Sequence, residues 1–563
     1  MARPRGQAVV LAYMTIIVLT VLGNALLQQS LTSNRHAQRQ QLEQDVFYLA
    51  EGGLEDATSQ FAQAVANFTI TANVSRYPTA ASQMLTTTFS SGAAASSDVT
   101  EVQPPAVFTV NDADGTTTFL KRYRVRTTVQ HPTNPVITLT LNQIVERRIV
   151  YTFQHAVFYD GDLEWQPGAN MTLSGRIHSN SDIYLGTGAQ LTIDSEHLYS
   201  AGQLFHRRKD SSPLGAGNVL IKKLGTAQYP ILNFDSTSPT WAADSQTTWA
   251  GTVKTSVHGV TQRAAPQVGS TAPGGFYDTK ADVRIVNNNV LDNNGNVLSV
   301  PPGTIGQTTT FFNNREGKFV RMTEIDLKKL AGWYDCTRPG GGAPDGIPDA
   351  PGTVCPGGVV YVNRLPSNGL LYATRNDALA TEQPGIRLVS GSEIYKAEGL
   401  TLVSNDPMYI KGNFNTTTKK PVSVIADAVN LLSNNWDNDA DSTVNNVNSG
   451  SPRTATNTTY NAAFIAGITT TVAGGQYSGG LENYPRLHER WSNVTLTIRG
   501  SFVSLWPSQI AIGAWNNGQQ GSNSQYTAPI RSWSYETDFT DGVGLPPFTP
   551  LTVQVTKGAW WEE

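Results

Sequence analysis

The chain carries little charge and almost no cysteine. Lys and Arg number 40 and Asp and Glu 44 among 563 residues, 15% in all, and the formal net charge is −4. With no basic excess there is no electrostatic footprint for a phosphate backbone, which excludes nucleic acid as a partner. Cys336 and Cys355 are too few for a structural zinc site, and no histidine stands beside them to complete one. No G-x-S-x-G, H-E-x-x-H or phosphate-binding loop occurs, so the motifs of serine hydrolases, zinc proteases and nucleotide-binding proteins are missing. No acidic residue precedes Glu43.

What the chain has in quantity is Gly (50), Pro (30) and small polar residues, with 39% hydrophobic residues. That is the balance of an exported, β-rich protein. The length exceeds what one hydrophobic core supports, so two or three domains are expected.

One long apolar run stands out. Ala8–Leu27 is uncharged and spans ~30 Å as a helix, enough for a bilayer core. Arg3 and Arg5 precede it, so this flank stays cytoplasmic and everything after Leu27 lies outside. The run does not end in a small-x-small cleavage site. It continues into a segment where Leu42, Val46, Leu49, Ala50, Leu54, Ala57, Phe61 and Ala64 recur mostly at three- and four-residue steps. One apolar face is thus kept along a single helix, half membrane-embedded and half amphipathic.

The basic leader ending in Gly6, the apolar run and "AEGGLEDA" at Ala50–Ala57 together resemble the N-terminal module of type IV pilin-like proteins. Among these the segment is most similar to PilX-like minor pilins and to the K-type minor pseudopilin of type II secretion. The resemblance implies cleavage between Gly6 and Gln7 by a prepilin peptidase and anchoring in the bacterial inner membrane. It also implies packing among other pilin-like subunits, with Glu51 and Leu54 orienting the helix against neighbours. After cleavage the fifth residue would be Leu11, where major pilins carry a glutamate; this favours a minor subunit.

Beyond the helix, residues 69–99 are rich in Thr, Ser and Ala without strong periodicity and read as a loop. "FLKRYRVRTTVQ" and "VITLTLNQIVERRIVYTF" alternate apolar and polar residues like half-buried antiparallel strands, with "HPTNP" as the turn between them. From about residue 159, apolar triplets separated by Gly, Asn and Ser corners favour a parallel β-helix over an irregular β-sandwich. A helix is expected around Leu481–Trp491. Trp533, Tyr535 and Phe539 are expected to cap the stack of coils. The fold class is therefore α+β, divided into a leader (1–6), a helix (7–68, transmembrane over 8–27), antiparallel strands and linker (69–158) and a β-rich head (159–563).

Candidate chemistry is sparse. Cys336 and Cys355 flank a Gly/Pro-rich segment, and one disulfide closing that loop contributes ~3 kcal/mol in the chain-entropy model. Asp345 and Asp349 in "PDGIPDA", and Asp437, Asp439 and Asp441 at alternate positions, are candidate calcium ligands, since Ca²⁺ takes six to eight hard oxygens. The second run is not an EF-hand: counting from Asp437, its sixth and twelfth positions hold Ser442 and Asn448. K-type pseudopilins bind calcium, so the resemblance implies it as a cofactor. His178 and Asp182 in "RIHSNSDIY" are the groups a catalytic reading would offer, but no catalytic residue is assigned.

The expected function is that of a structural minor pilin or pseudopilin-like subunit, not an enzyme. Its head would serve assembly priming or adhesion, in the periplasm or at the cell surface on a filament. The alternatives are an uncleaved membrane-anchored adhesin and an envelope polysaccharide-degrading enzyme on a β-helix.

Overall fold

In the computed structural model, helix α1 (Arg5–Ala66) continues without a break for 62 residues, about 93 Å at 1.5 Å per residue. The structure describes the chain apart from residues 1–4, 67–82, 103–106, 112–115, 266–267, 299, 301, 332–334, 337–358, 361–365, 367, 397, 437–438, 440–453, 473–476, 516–525 and 541–543.

The two halves of α1 have different surroundings. From Gly6 to Gln41 every described side chain is exposed, and the apolar ones include Leu11 (70%), Tyr13 (66%) and Leu26 (66%). From Val46 onward a stripe of Val46, Ala50, Leu54, Ala57, Phe61 and Val65 is buried. Its steps of four, four, three, four and four keep it on one helical face.

That face rests on a small antiparallel sheet. Its strands are β1 (Gln83–Thr88), β2 (Ala94–Glu101), β3 (Val107–Asn111), β4 (Thr117–His131) and β5 (Asn134–Tyr151). The order is β1-β2-β4-β5, β3 also pairs with β4, and a further strand, Leu551–Glu562, lies beside β5. Phe61 meets Tyr123 of β4 at a ring separation of 4.8 Å. The same core contains Val99, Val125, Val129, Leu141 and Val145. β4 and β5 match the strands expected from alternation, with the turn at Pro132–Thr133 between them.

Residues 83–88 and 94–101 are strands, not the loop expected for 69–99. In 94–101 the small side chains are the reason both for the expected loop and for the fit. Ala95 and Ser97 lie flat under α1, and Gly53 sits directly on Ala95.

The head is built from stacked coils whose strands pair in parallel. In the first stack, Val157 lies opposite Ile177 and Ile177 opposite Leu198. Leu163 lies opposite Ile183 and Ile183 opposite Leu204, and Leu173 lies opposite Ile193. Each step is 20 or 21 residues (177−157 and 198−177), and three parallel ladders result. A second stack runs through Leu370–Thr374, Leu400–Ser404, Val422–Ala426, Thr458–Ala466 and Thr495–Ser504, again in parallel. Facing it, Lys318–Asp326, Glu382–Val389, Met408–Lys411, Val429–Leu432 and Pro485–Leu487 form another parallel series. Inward side chains from these ladders make one large core, including Trp165, Leu191, Leu402, Phe464 and Trp491.

Two expectations for the last third are corrected. Around Leu481–Trp491 there is only a 3₁₀ turn, Leu481–Asn483, followed by the strand Pro485–Leu487. Leu487 is drawn into the ladder opposite Leu431, and this long-range pairing stops the turn from continuing as a helix. Trp533 and Tyr535 do not cap an open end. Their strand, Ile530–Tyr535, lies between Thr495–Ser504 and Met171–Ser174 and joins the two stacks, with Trp533 stacked on Phe502 at 4.7 Å. Phe539 is buried beside Phe153, at 5.7 Å, in the core shared by sheet and head.

That shared core fixes the small sheet to the head. Phe119, Ile149 and Tyr151 from β4 and β5 pack with Tyr372, Val403, Ile425, Phe548 and Leu551.

Candidate functional site

The first candidate is the exposed half of α1. Gly6 and Gln7 sit exposed in its first described turns, and a side chain added at Gly6 would meet nothing within 4 Å. Between residues 9 and 27 the apolar side chains face outward all round the helix. Such a surface is satisfied by a bilayer or by other apolar helices, and this one helix is long and apolar enough to cross a membrane. Of the two residues expected to orient the helix, Glu51 is exposed and Leu54 is buried against the chain's own sheet.

Most of the other expected site residues do not assemble. Asp345, Asp349, Cys355, Asp437 and Asp441 lie outside the described residues, so the disulfide and the full acidic run do too. Cys336 belongs to a two-residue strand paired with Val359–Val360. Asp439 is engaged by protein groups: Arg387 Nη1 and Nη2 donate to its two oxygens at 2.7 and 2.9 Å, and Trp436 Nε1 donates at 2.9 Å. Among the described residues no group of three or more His, Cys, Asp or Glu is placed to hold a metal ion.

His178 and Asp182 are not a catalytic pair. Asp182 Oδ1 accepts the Gln203 backbone N–H at 2.7 Å, closing a corner between coils. His178 stacks on Phe158, with centroids 5.7 Å apart. It belongs to a buried group with His155 and His197, where His155 lies 6.0 Å from His178 and 6.2 Å from His197. Asn180 Oδ1 accepts the Arg263 N–H at 2.8 Å, so it is an acceptor for His178 Nε2 at 3.0 Å as well. That makes Nε2–H the protonated nitrogen and leaves Nδ1 as a bare acceptor without a hydrogen-bond partner. Nε2 of His155 and of His197 are also unpartnered.

Burial, followed by the neighbouring imidazoles and Arg176, holds the His155 pKa well below its ordinary value. Burial and then Arg176 push His197 down to about 3. Burial also lowers His178, against the opposing hydrogen bond to Asn180. All three are neutral at pH 7. Sequence reasoning saw His178 only as a corner residue. The coil step stacks His178 on Tyr199, with His197 two residues before it, so no repeat in the sequence marked the histidine group.

These histidines back onto a cavity of about 470 Å³ between the small sheet and the first coil stack. Arg148 of β5, Lys254, Arg263, His155, His178 and Tyr199 are among its lining residues. Lys254 Nζ sits 5.2 Å from the Tyr199 ring centroid. Among the described residues, no carboxylate lines this cavity.

The architecture is therefore that of a membrane-anchoring helix docked on an antiparallel sheet, with a large β head. Comparison with known proteins places the first part more closely. The PilX N-terminal family model matches residues 5–55, so the N-terminal module is similar to that of PilX-type, type IV pilin-like minor pilins. A crystal structure of the competence-associated pilin ComZ from Thermus thermophilus aligns at 11% identity, over 92% of this chain and 97% of its own, with a TM-score of 0.28. That score does not establish a shared fold. No curated protein matches the chain.

Proposed function

We propose that this protein is a minor pilin-like subunit of a type IV pilus system, a structural component and not an enzyme. The observation that carries the reading is the division of α1. Its C-terminal part is packed on the chain's own sheet, while about 35 residues before it, apolar over Val9–Leu27, stand free of the chain's own packing. An apolar helix presented in this way suits storage in the inner membrane and later packing among equivalent helices of other pilin-like subunits. The PilX-type match over residues 5–55 supports it.

On this reading a prepilin peptidase cuts between Gly6 and Gln7, and the head rides outside the membrane, for assembly priming or adhesion. The test is the N-terminal residue of the protein recovered from membranes and from sheared filaments. A start at Gln7 in both fractions is expected. An intact Met1 or Ala2, with nothing in the sheared fraction, would leave a tethered surface protein and overturn the proposal.

A further inference from the structure

The end of the small sheet that faces the apolar run of α1 is a surface of its own. β4 and β5 meet there in the turn at Pro132–Thr133, and from Gln130 to Asn142 the hairpin carries no Asp, Glu, Lys or Arg. Pro135 is exposed, and Val136 is 89% exposed. Between this hairpin and α1 runs a groove of about 940 Å³, bordered on the helix by Arg35, Arg39 and Val46 and on the strand by Asn134, Val136 and Leu139. Arg39 Nε donates to Glu43 Oε1 at 2.8 Å, but both side chains stay largely in solvent, 73% and 50% exposed. No acidic residue precedes Glu43, so the part of α1 between Leu27 and the groove brings Arg35 and Arg39 without a carboxylate below them.

Two lengths fix how high this end stands above the apolar run. Phe47 of α1 meets Trp560 at a ring separation of 6.3 Å, and Trp560 lies opposite Gln143 of β5. From Gln143 back to Asn134 are nine steps (143−134), about 30 Å of strand. From Phe47 back to Leu27 are twenty steps (47−27), also about 30 Å of helix. A strand running alongside α1 therefore brings the hairpin tip down to the end of the apolar run, and tilt lifts it. The groove limits the lift: Arg35, which borders it together with Asn134, is eight steps (35−27) above Leu27, about 12 Å. The tip thus stands within about 12 Å of the run's end, and the headgroup layer outside the hydrocarbon fills about 5–8 Å of that.

We infer that the tip of the β4–β5 hairpin, Pro132–Ile137, and the side chains of Arg35 and Arg39 rest on the phospholipid headgroups of the membrane that α1 spans. The inference rests on the reading of Val9–Leu27 as a bilayer span. Phospholipid is the occupant that this surface fits. Arginine lays its apolar stem along the helix and sends its charged end to the interface, where phosphate oxygens accept from it. The tip meets the same layer with Pro and Val, and brings neither a carboxylate that phosphate would repel nor a charge to be desolvated. The acidic side chains of α1 begin at Glu43 and continue with Asp45, Glu51 and Glu55, farther from the bilayer. A foothold on one side of α1 keeps the helix from tilting toward the sheet and sets the height at which the head is carried.

The test places an environment-sensitive fluorophore at Val136→Cys, Ile17→Cys or Val297→Cys in the full-length protein, reconstituted in phosphatidylethanolamine–phosphatidylglycerol vesicles. The unsubstituted protein is the blank for Cys336 and Cys355. The three side chains are 89%, 60% and 69% exposed, so labelling them leaves the packing alone. The quenchers are lipids carrying a nitroxide on the headgroup or in the middle of the acyl chain. The Val136 label should lose emission about twofold to the headgroup nitroxide, the Ile17 label should be quenched by the acyl-chain nitroxide, and the Val297 label on the head by neither. Arg35→Gln combined with Arg39→Gln should reduce the Val136 quenching severalfold and leave that of Ile17 unchanged. A Val136 label untouched by the headgroup nitroxide, or unaffected by the double change, overturns the inference while a quenched Ile17 label upholds the span. An Ile17 label that the acyl-chain nitroxide leaves alone overturns the span itself, and this contact with it.

Discussion

Leu551 lies opposite Tyr151 in an antiparallel ladder, so the last strand of the chain is hydrogen-bonded beside the strand that leads into the head. Everything between these two residues is a closed excursion that begins and ends in the small sheet. Thr152 reinforces the closure: its N–H and its hydroxyl both donate to the Pro550 carbonyl, at 3.3 and 2.7 Å. Removing residues 551–563 should therefore damage a region nearly 400 positions earlier in sequence. Leu551 is buried, and Val553 packs against the same cores. Their loss alone is worth about 3 kcal/mol, before the exposed edge of β5 is counted. The urea midpoint of the truncated full-length protein should fall, with new protease sensitivity in β5. A midpoint within error of the parent would mean the strand is an appendage.

Adjacent glycines of the "AEGGLEDA" segment should respond oppositely to alanine. A Cβ on Gly53 would collide with the Ala95 Cβ and come within 3.1 Å of Thr127 Cγ2. Neither neighbour can rotate away, so overpacking of about 1–3 kcal/mol outweighs the roughly 1 kcal/mol that alanine gains in a helix. A Cβ on Gly52 meets only the tip of the Phe89 ring, at 3.2 Å, and that ring can give way. Gly53→Ala should lower the melting temperature and Gly52→Ala should leave it unchanged or raise it. Equal effects would show that α1 does not approach β2 as closely as described.

Much of this was legible in the sequence where one physical signal dominates. The apolar run, the 3.6-residue stripe of α1 and the alternation in β4 and β5 each follow from a single periodicity, and each is where it was expected. The strand at 94–101 was hidden because a surface that must lie under a helix at Gly53 uses Ala and Ser, which carry little hydrophobic signal, and the strand at 83–88 is six residues ending in three threonines. Leu481–Trp491 was misread as helix because its local pattern is overridden by pairing with Leu431, a long-range contact. The cavity was not legible at all. Its cations stand at 148, 254 and 263, and only the return of the coils to the small sheet brings them together.

Acid should destabilise the head through its buried imidazoles. Below the ordinary histidine value the unfolded chain takes up protons that folded His155, His178 and His197 refuse, so stability falls as pH drops through about 6.5. Each histidine contributes up to about 1.4 kcal/mol per pH unit until its lowered folded value is reached. Glu164, raised by burial to about 7, and Asp406, raised to about 6, act with the opposite sign over part of this window, because folded carboxyls hold their protons longer. Three groups against two leave a net loss on acidification. The melting temperature should fall between about pH 7 and pH 5, and His197→Gln should flatten that slope. A steeper slope in the variant would mean that His197 is protonated in the folded protein.

Arg387 should prove to be the support on which Asp439 depends. Its Nε donates to Glu324 Oε2 at 2.7 Å, while Nη1 and Nη2 grip Asp439. The arginine side chain is 7% exposed, whereas Asp439 and Glu324 are 17% and 33% exposed. Replacing Arg387 with Met keeps much of the apolar stem but strands two carboxylates, one of them largely buried. Breaking such a pair from one side costs about 3–5 kcal/mol when fully buried, and about 2 kcal/mol allows for the water that reaches Glu324. Asp439→Asn retains an acceptor for Arg387 and for Trp436 and should cost about 1 kcal/mol. The pair also bears on calcium. In this arrangement both Asp439 oxygens are committed, so a cation can use them only by displacing the guanidinium. Calcium should therefore raise the melting temperature of Arg387→Met more than that of the parent. The reverse order would place Asp439 among calcium ligands in the parent, with Arg387 turned away.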